Sequence, residues 1–191
     1  MDNDVLHRAL KRLETGVYVL TSRHHEHFGA STIAWAMQTS YKPVLFVAAL
    51  ARGGNVFRCL EQSRFAVLHV VGHRQFEVAR RFACPTEAAD GAINGEAFVD
   101  GATSAPVLKA FPAYVECQVE QIVESPGDHA LVILRAVAAR CRARFRPMTI
   151  AALRAYLDTA PVPSRRAPQP GQAPPRTILV ARTCERPAAA D

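Results

Sequence analysis

The spacing of apolar and polar residues changes along this chain, and the changes mark its elements. From Asp4 to Glu14, Leu6, Leu10 and Leu13 share one helical face, while Lys11, Arg12 and Glu14 face water. That predicts a short helix, ended by Thr15-Gly16. Val17 to Ser22 is rich in β-branched and aromatic residues and reads as a strand. Arg23-His-His-Glu-His27 reads as a polar hairpin tip, and Ala30 to Ala36 as the return strand. Leu45 to Leu50 is an almost unbroken apolar run, which predicts a central strand. Gly53-Gly54-Asn55 then turns the chain into a helix over Val56 to Gln62. Phe65 to Val71 gives another strand and His73 to Phe82 another helix.

Cys84 to Gly101 shows no period and holds three glycines, so a long irregular loop is expected there. Such loops inside a domain tend to carry function. Ala113 to Val123 and Ala130 to Ala139 read as strands joined by Glu124-Ser-Pro-Gly-Asp-His129. In the first, alternation puts Tyr114, Glu116, Gln118 and Glu120 on a wet face and Val115, Cys117 and Val119 on a buried one. Met148 to Leu157 returns to a helical period. Six prolines between Pro161 and Pro175 predict an extended linker, with a strand-like patch at Thr177 to Ala181 after it. The sum is a mainly β fold, an antiparallel barrel or sandwich with short helices at its rim. The length of 191 residues fits one such domain over 1–145, a helical segment over 146–160 and a Pro/Arg-rich tail over 161–191.

Composition narrows the class. A hydrophobic share of 49% excludes a disordered chain. The longest apolar runs, such as Pro43 to Ala51, fall far short of the ~18 residues of a membrane helix. The N-terminus lacks the basic and apolar regions of a signal peptide, so a cytoplasmic protein with no membrane partner is expected. Five scattered cysteines without a Cys-x-x-Cys argue against disulfides and structural zinc, and Cys59 and Cys117 read as buried thiols. The net charge of +6 is unevenly placed: residues 136–191 hold ten arginines against three acids, while the body is nearly neutral. A basic tail without interleaved aromatics reads as a solvated tail rather than a nucleic-acid surface.

The candidate chemistry centres on Gly29 to Pro43, a run opening with small and hydroxyl residues that holds no strong acid, base or thiolate nucleophile. Such a site binds a group that brings its own chemistry. No Gly-x-Ser-x-Gly elbow is present, and no Gly-x-Gly-x-x-Gly follows a strand. The cluster His24-His25-Glu26-His27 reads as a solvated turn, because adjacent histidines on a strand point to opposite faces. No metal site is assigned. His69 alternates with apolar neighbours and reads as a satisfied buried histidine.

Four segments together carry a resemblance. They are Leu13-Glu-Thr-Gly-Val-Tyr-Val-Leu-Thr-Ser22, Ala30 to Pro43 with Trp35, Gln38 and Ser40, Asn55 to Val71, and Gly127-Asp-His129 after Ala113-Tyr-Val-Glu-Cys117. In this order and spacing the chain resembles the flavin reductase-like family, whose FMN-binding split barrel works as a homodimer. The resemblance implies an antiparallel split β-barrel with peripheral helices. It implies FMN, or FAD, as cofactor, NAD(P)H as co-substrate, and electrons passed to free flavin or to a partner monooxygenase. It places the flavin against Gly29, Ala30, Ser31, Thr32, Ala34, Trp35, Ala49, Leu50, Ala51, Asn55 and Val56, with Arg81 and Phe82 bordering the phosphate.

The residue types agree with that placement. Ser31, Thr32, Gln38, Thr39 and Ser40 are neutral donors, Trp35 or Phe82 offers ring area, and Gly53-Gly54-Asn55 offers backbone N–H groups to a phosphate. His129 has two readings: a residue beside the flavin's reactive face that positions nicotinamide, or an exposed turn residue after a capping Asp128. Three departures stand out. Gly53-Gly54-Asn55 replaces the family's frequent Ser or Thr, Leu68-His69 replaces Val-Asn, and a helical Arg146 to Tyr156 replaces a terminal aromatic strand. The last departure favours a second reading, a flavin-holding module without efficient turnover.

Overall fold

The computed structural model describes residues 3–142 and 144–159. Helix α1 (Asn3–Leu10) precedes strands β1 (Tyr18–His24), β2 (His27–Ile33), β3 (Ala36–Tyr41) and β4 (Val44–Ala51). Helix α2 (Asn55–Ser63), strand β5 (Phe65–Val70) and helix α3 (Phe76–Phe82) follow. Four short strands come next: β6 (Ala88–Ala89), β7 (Ala92–Ile93), β8 (Glu96–Asp100) and β9 (Pro106–Leu108). The long strands β10 (Ala113–Val123) and β11 (His129–Cys141) and helix α4 (Ile150–Thr159) complete the order.

Seven strands form one antiparallel sheet in the order β2-β1-β5-β10-β11-β4-β3. Leu20, Leu50, Leu60, Cys117, Val132 and Leu134 fill its inner face. Ile33 of β2 and Ala36 of β3, from opposite edges of the sheet, both pack on that core. The sheet therefore curls into a barrel that stays split between β2 and β3, and Ala34-Trp35 is the chain that crosses the split. Helix α2 supplies Val56, Phe57 and Leu60 to the same core.

A second core lies on the outside of β1 and β5. Val17, Val19, Phe82, Ile93, Leu108, Phe111, Met148 and Leu153 build it from α3, the small sheet β6-β7-β8-β9 and α4. Burial from both sides explains why β1 carries four consecutive buried residues instead of an alternation. Residues 147–150 are sewn into this layer. Val17 N donates to Met148 O at 3.0 Å, Met148 N to Val71 O at 2.8 Å and Ile150 N to Thr15 O at 2.8 Å. Tyr156 stacks on Phe76 with ring centroids 4.7 Å apart. The expected helix after Met148 is thus present and shares a core with the barrel.

Four expectations are corrected. Leu45 to Leu50 is not central: β4 is next to the edge strand β3. Its apolar run has another cause, with Ala48 and Leu50 lining the barrel while the alternate residues form an apolar outer face. Ala30 to Ala36 is not one strand, because β2 ends at Ile33 and β3 begins at Ala36. Cys84 to Gly101 is not irregular. Asp90-Gly91 and Asn94-Gly95 all have positive φ, the geometry of tight two-residue hairpins, and they fold β6, β7 and β8 into a meander. Glu116 is not wet: it is 3% exposed. The β10–β11 register shifts beside it, and its carboxylate accepts from Thr103 N at 2.9 Å and Thr103 Oγ1 at 3.0 Å. The expected proline-rich linker and the patch at 177–181 lie outside the described residues.

Gly29 sets how closely β2 approaches α2. A Cβ on Gly29 would lie 2.5 Å from Val56 Cα and 2.7 Å from Asn55 O, both backbone atoms that cannot turn aside. Gly29→Ala is expected to destabilise the fold by about 1–3 kcal/mol, the range of core overpacking, measured by urea unfolding. Wild-type stability would mean that α2 can shift without penalty.

Candidate functional site at the barrel split

The site is built where the chain crosses the split. Ala49 N donates to Trp35 O at 2.9 Å and ties the crossing to β4. The indole itself stays 56% exposed. Ala51, at the end of β4, pairs with His129 at the start of β11. This pairing brings the imidazole against the indole, with ring centroids 4.9 Å apart and planes tilted by 60°. His129 Nδ1 lies 2.7 Å from Asp128 Oδ1. A carboxylate only accepts, so Nδ1 carries the proton of that bond and Nε2 is left for a ligand.

Arg52 holds the turn that carries this pair. Its Nε donates to Glu124 Oε2 at 2.8 Å, its other guanidinium nitrogens donate to the carbonyls of Ser125 and Gly127, and its N–H donates to Asp128 O at 3.3 Å. Sequence reasoning missed Arg52, since its partners lie more than seventy positions further along. Only its place directly after a strand end pointed to it.

A short distance along the chain, α2 begins. Gly54 sits at its N-cap in extended conformation with no side-chain cap, and Asn55 Oδ1 accepts from Arg58 instead. The first-turn N–H groups therefore meet no capping side chain, at the positive end of the helix dipole. A cleft of about 470 Å³ opens here, lined by His24, His27, Asn55, Arg58, Cys59 and Thr86, among others. Burial raises the Cys59 thiol pKa, so it stays a protonated wall residue. An exposed aromatic plate, neutral backbone donors and an uncapped helix start beside an arginine fit a flavin nucleotide, which needs cover for a ring and donors for a phosphate.

Not every residue read from the sequence faces this place. Successive residues of β2 point to opposite faces, so Gly29 to Thr32 cannot line one ligand together. Gly29 packs on α2, and Ser31 is half-buried on the same face. Ala30 N and O both bond to the Thr86 hydroxyl, each at 3.0 Å, which closes the free edge of β2. The Thr32 hydroxyl donates to Ala79 O at 2.6 Å and so points at α3. Ala34 packs on the second core. Leu50 is 2% and Val56 4% exposed, both in the barrel core. Phe82 is fully buried in the second core and offers no ring to a ligand. Arg81 pairs with Glu96 and donates to Asn94 O at 3.1 Å. Gln38 is exposed on β3 and donates to Ser40 O. The structure brings together Trp35, Ala49, Ala51 and His129, with Asn55 at the neighbouring cleft.

A split antiparallel barrel is a fold that known proteins share. The flavin reductase like domain family matches residues 10–156, and the chain belongs to it. It is 30% identical over 128 residues to an NADH:FMN oxidoreductase of Rhodococcus qingshengii, covering 65% of this chain and 64% of that protein. It is 27% identical over 128 residues to a putative diflavin flavoprotein A 2 of Synechocystis sp., covering 66% of this chain and 22% of that protein. The chain thus spans less than a quarter of the diflavin relative's length. The styrene monooxygenase flavin reductase of Pseudomonas putida aligns with a TM-score of 0.65 at 25% identity, over 78% of this chain and 93% of that one. No helix among the described residues is long and apolar enough to cross a membrane.

Proposed function

We propose that this chain is an NAD(P)H-dependent flavin reductase that holds FMN at the barrel split and hands electrons to free flavin or to a partner monooxygenase in the cytoplasm. The observation that carries this reading is the exposed Trp35 indole set against His129, where the ends of β4 and β11 meet. Membership in the flavin reductase like domain family supports it. The relatives' own names, an NADH:FMN oxidoreductase and a monooxygenase flavin reductase, support it as well. In the proposed site Trp35 covers ring area, the first-turn N–H groups of α2 and Arg58 take the phosphate, and His129 positions the nicotinamide. Asp128 fixes the tautomer of that imidazole. A bound flavin supplies the hydride acceptor and the electron carrier.

The test is spectroscopic. The purified chain loaded with FMN should be yellow and should bleach anaerobically on addition of NADH or NADPH. Helix α4, in place of the terminal aromatic strand that the resemblance implies, favours the second reading of a flavin-holding module. Colour without bleaching would select that reading. A chain that takes up no FMN would end both.

The working unit in this proposal is a homodimer. The outer face of β3, β4 and β11 is apolar: Met37 pairs with Val47, Val47 with Ile133, and Ala49 with Leu131. Met37 is 64% and Leu131 39% exposed, and Trp35 borders them. A second copy seated there would remove that surface from water and wall the flavin site. Light scattering at micromolar concentration should give twice the chain mass, and a monomer would refute the assembly.

A further inference from the structure

Arg52 follows the last residue of β4 and acts on the site in two ways. Its backbone N–H donates to Asp128 O at 3.3 Å, which carries the β4–β11 pairing one step beyond Ala51 and His129. Its side chain folds over the turn between β10 and β11. Nε donates to Glu124 Oε2 at 2.8 Å. One terminal nitrogen donates to Gly127 O, and the other donates to Ser125 O and lies 2.7 Å from Glu124 Oε2. All three guanidinium nitrogens are thus committed to the turn. Ser125 passes the hold on, since its hydroxyl donates to the carbonyl of His129 itself. None of residues 124–129 is buried, so the turn gains no anchorage from the core. Trp35 is held independently, by the bond from Ala49 N to its carbonyl. The contact between the two rings therefore depends on Arg52 from the His129 side only.

We propose that Arg52 is a positioning residue for the reductase reaction, acting through His129 and by geometry rather than by charge. This rests on the reading that His129 seats the nicotinamide at the split. A planar guanidinium presents its donors in a fixed fork, and here the fork spans the Glu124 carboxylate and the carbonyls of Ser125 and Gly127. An ammonium carries the same charge, but as one point on a flexible stem, and cannot hold that set in one plane. Glu124 balances the positive charge, so the guanidinium leaves little field for a flavin phosphate or a nucleotide. A turn held before the ligands arrive favours rate, because hydride transfer falls steeply with small misplacements of the donor. It adds little affinity for flavin, because Trp35, Arg58 and the first turn of α2 do the holding in the proposed site.

Two readouts on the full chain separate this role from a structural one. Trp35 is the only tryptophan of the chain, so its emission in the apo-protein reports its surroundings. His129→Ala gives the emission of that indole without its imidazole neighbour. Arg52→Ala and Arg52→Lys should both shift the emission toward that value. In FMN-loaded protein both should lower the limiting rate of anaerobic reduction by NADH or NADPH about tenfold, with FMN affinity within about threefold of wild type. The urea midpoint should move by less than about 0.5 M, because the turn is outside the core. A wild-type rate in Arg52→Lys would show that charge suffices and overturn the proposal. A loss of FMN affinity of about tenfold with the rate intact would overturn it too, and make Arg52 a phosphate ligand. So would unchanged emission in Arg52→Ala, or equal emission of wild type and His129→Ala. The emission readout needs no flavin. A wild type that takes up FMN without bleaching ends the reductase reading, while the emission shift shows by itself whether Arg52 holds His129.

Discussion

His129→Ala is expected to slow reduction of the bound flavin by NAD(P)H by up to about 100-fold while leaving flavin affinity within about twofold. The imidazole is held on two sides, by the Trp35 ring at 4.9 Å and by Asp128 at 2.7 Å. Its side chain is 15% exposed, so its orientation is set before any ligand arrives. A group fixed in that way can position a nicotinamide, and small misplacements of a hydride donor are enough to account for such a loss. The flavin's own holding groups, the α2 N-terminus and Trp35, remain in the variant. Stopped-flow reduction of flavin-loaded protein measures the rate, and titration of the apo-protein measures affinity. A companion variant, Asp128→Ala, should fall between, because the imidazole stays but loses the acceptor that fixes its tautomer. Equal rates for wild type and His129→Ala would reduce the turn to a structural element. A parallel loss of flavin affinity would move His129 from the nicotinamide to the flavin.

The strands were legible where one period governs. Ala113 to Val123 has the observed bounds of β10, and the strand read at Phe65 to Val71 matches β5 within one residue. The reading failed where two layers meet. Glu116 looked solvent-facing because it alternates with Cys117, yet a β-bulge and the Thr103 loop cover it. The Cys84 to Gly101 segment looked structureless because its strands are two to five residues long, too short for a period. Asp90-Gly91 and Asn94-Gly95 were nonetheless strong hairpin signals in plain view.

The site followed the same rule. Trp35 and His129 were named from sequence, but their contact depends on the β4–β11 register, which no local pattern encodes. Gly29 to Thr32 read as one binding run because small and hydroxyl residues cluster there. The pleat divides them, sending Gly29 toward α2 and the Thr32 hydroxyl toward α3. Phe82 carried the same ambiguity: a ring on a short helix suits a ligand or a core equally, and the second core took it.

His69 should make the fold pH-sensitive in a defined window. It is fully buried between Phe111 and Tyr114 on the outer face of β5. Leu108 N donates to its Nε2 at 2.9 Å, so that nitrogen carries a lone pair, and the Nδ1–H therefore donates to Val19 O at 3.0 Å. The neutral tautomer thus clips β9 to β1, and a protonated ring would turn an N–H toward the Leu108 amide. Burial lowers the His69 pKa to about 4, against the backbone bonds to Val19 and Val67 that raise it. As pH falls, the unfolded chain takes the proton first, near its ordinary value of about 6.5. The stabilising contribution is therefore complete above about pH 6.5 and is lost progressively toward pH 4, by about 3 kcal/mol in all and about 2 kcal/mol by pH 5. Urea unfolding at pH 7, 6 and 5 should trace the decline. His69→Gln can still donate and accept but does not titrate, so it should be less stable at pH 7 and nearly flat down to pH 5, above the range where most carboxylates protonate. Parallel pH dependences for wild type and His69→Gln would exclude His69 as the titrating group.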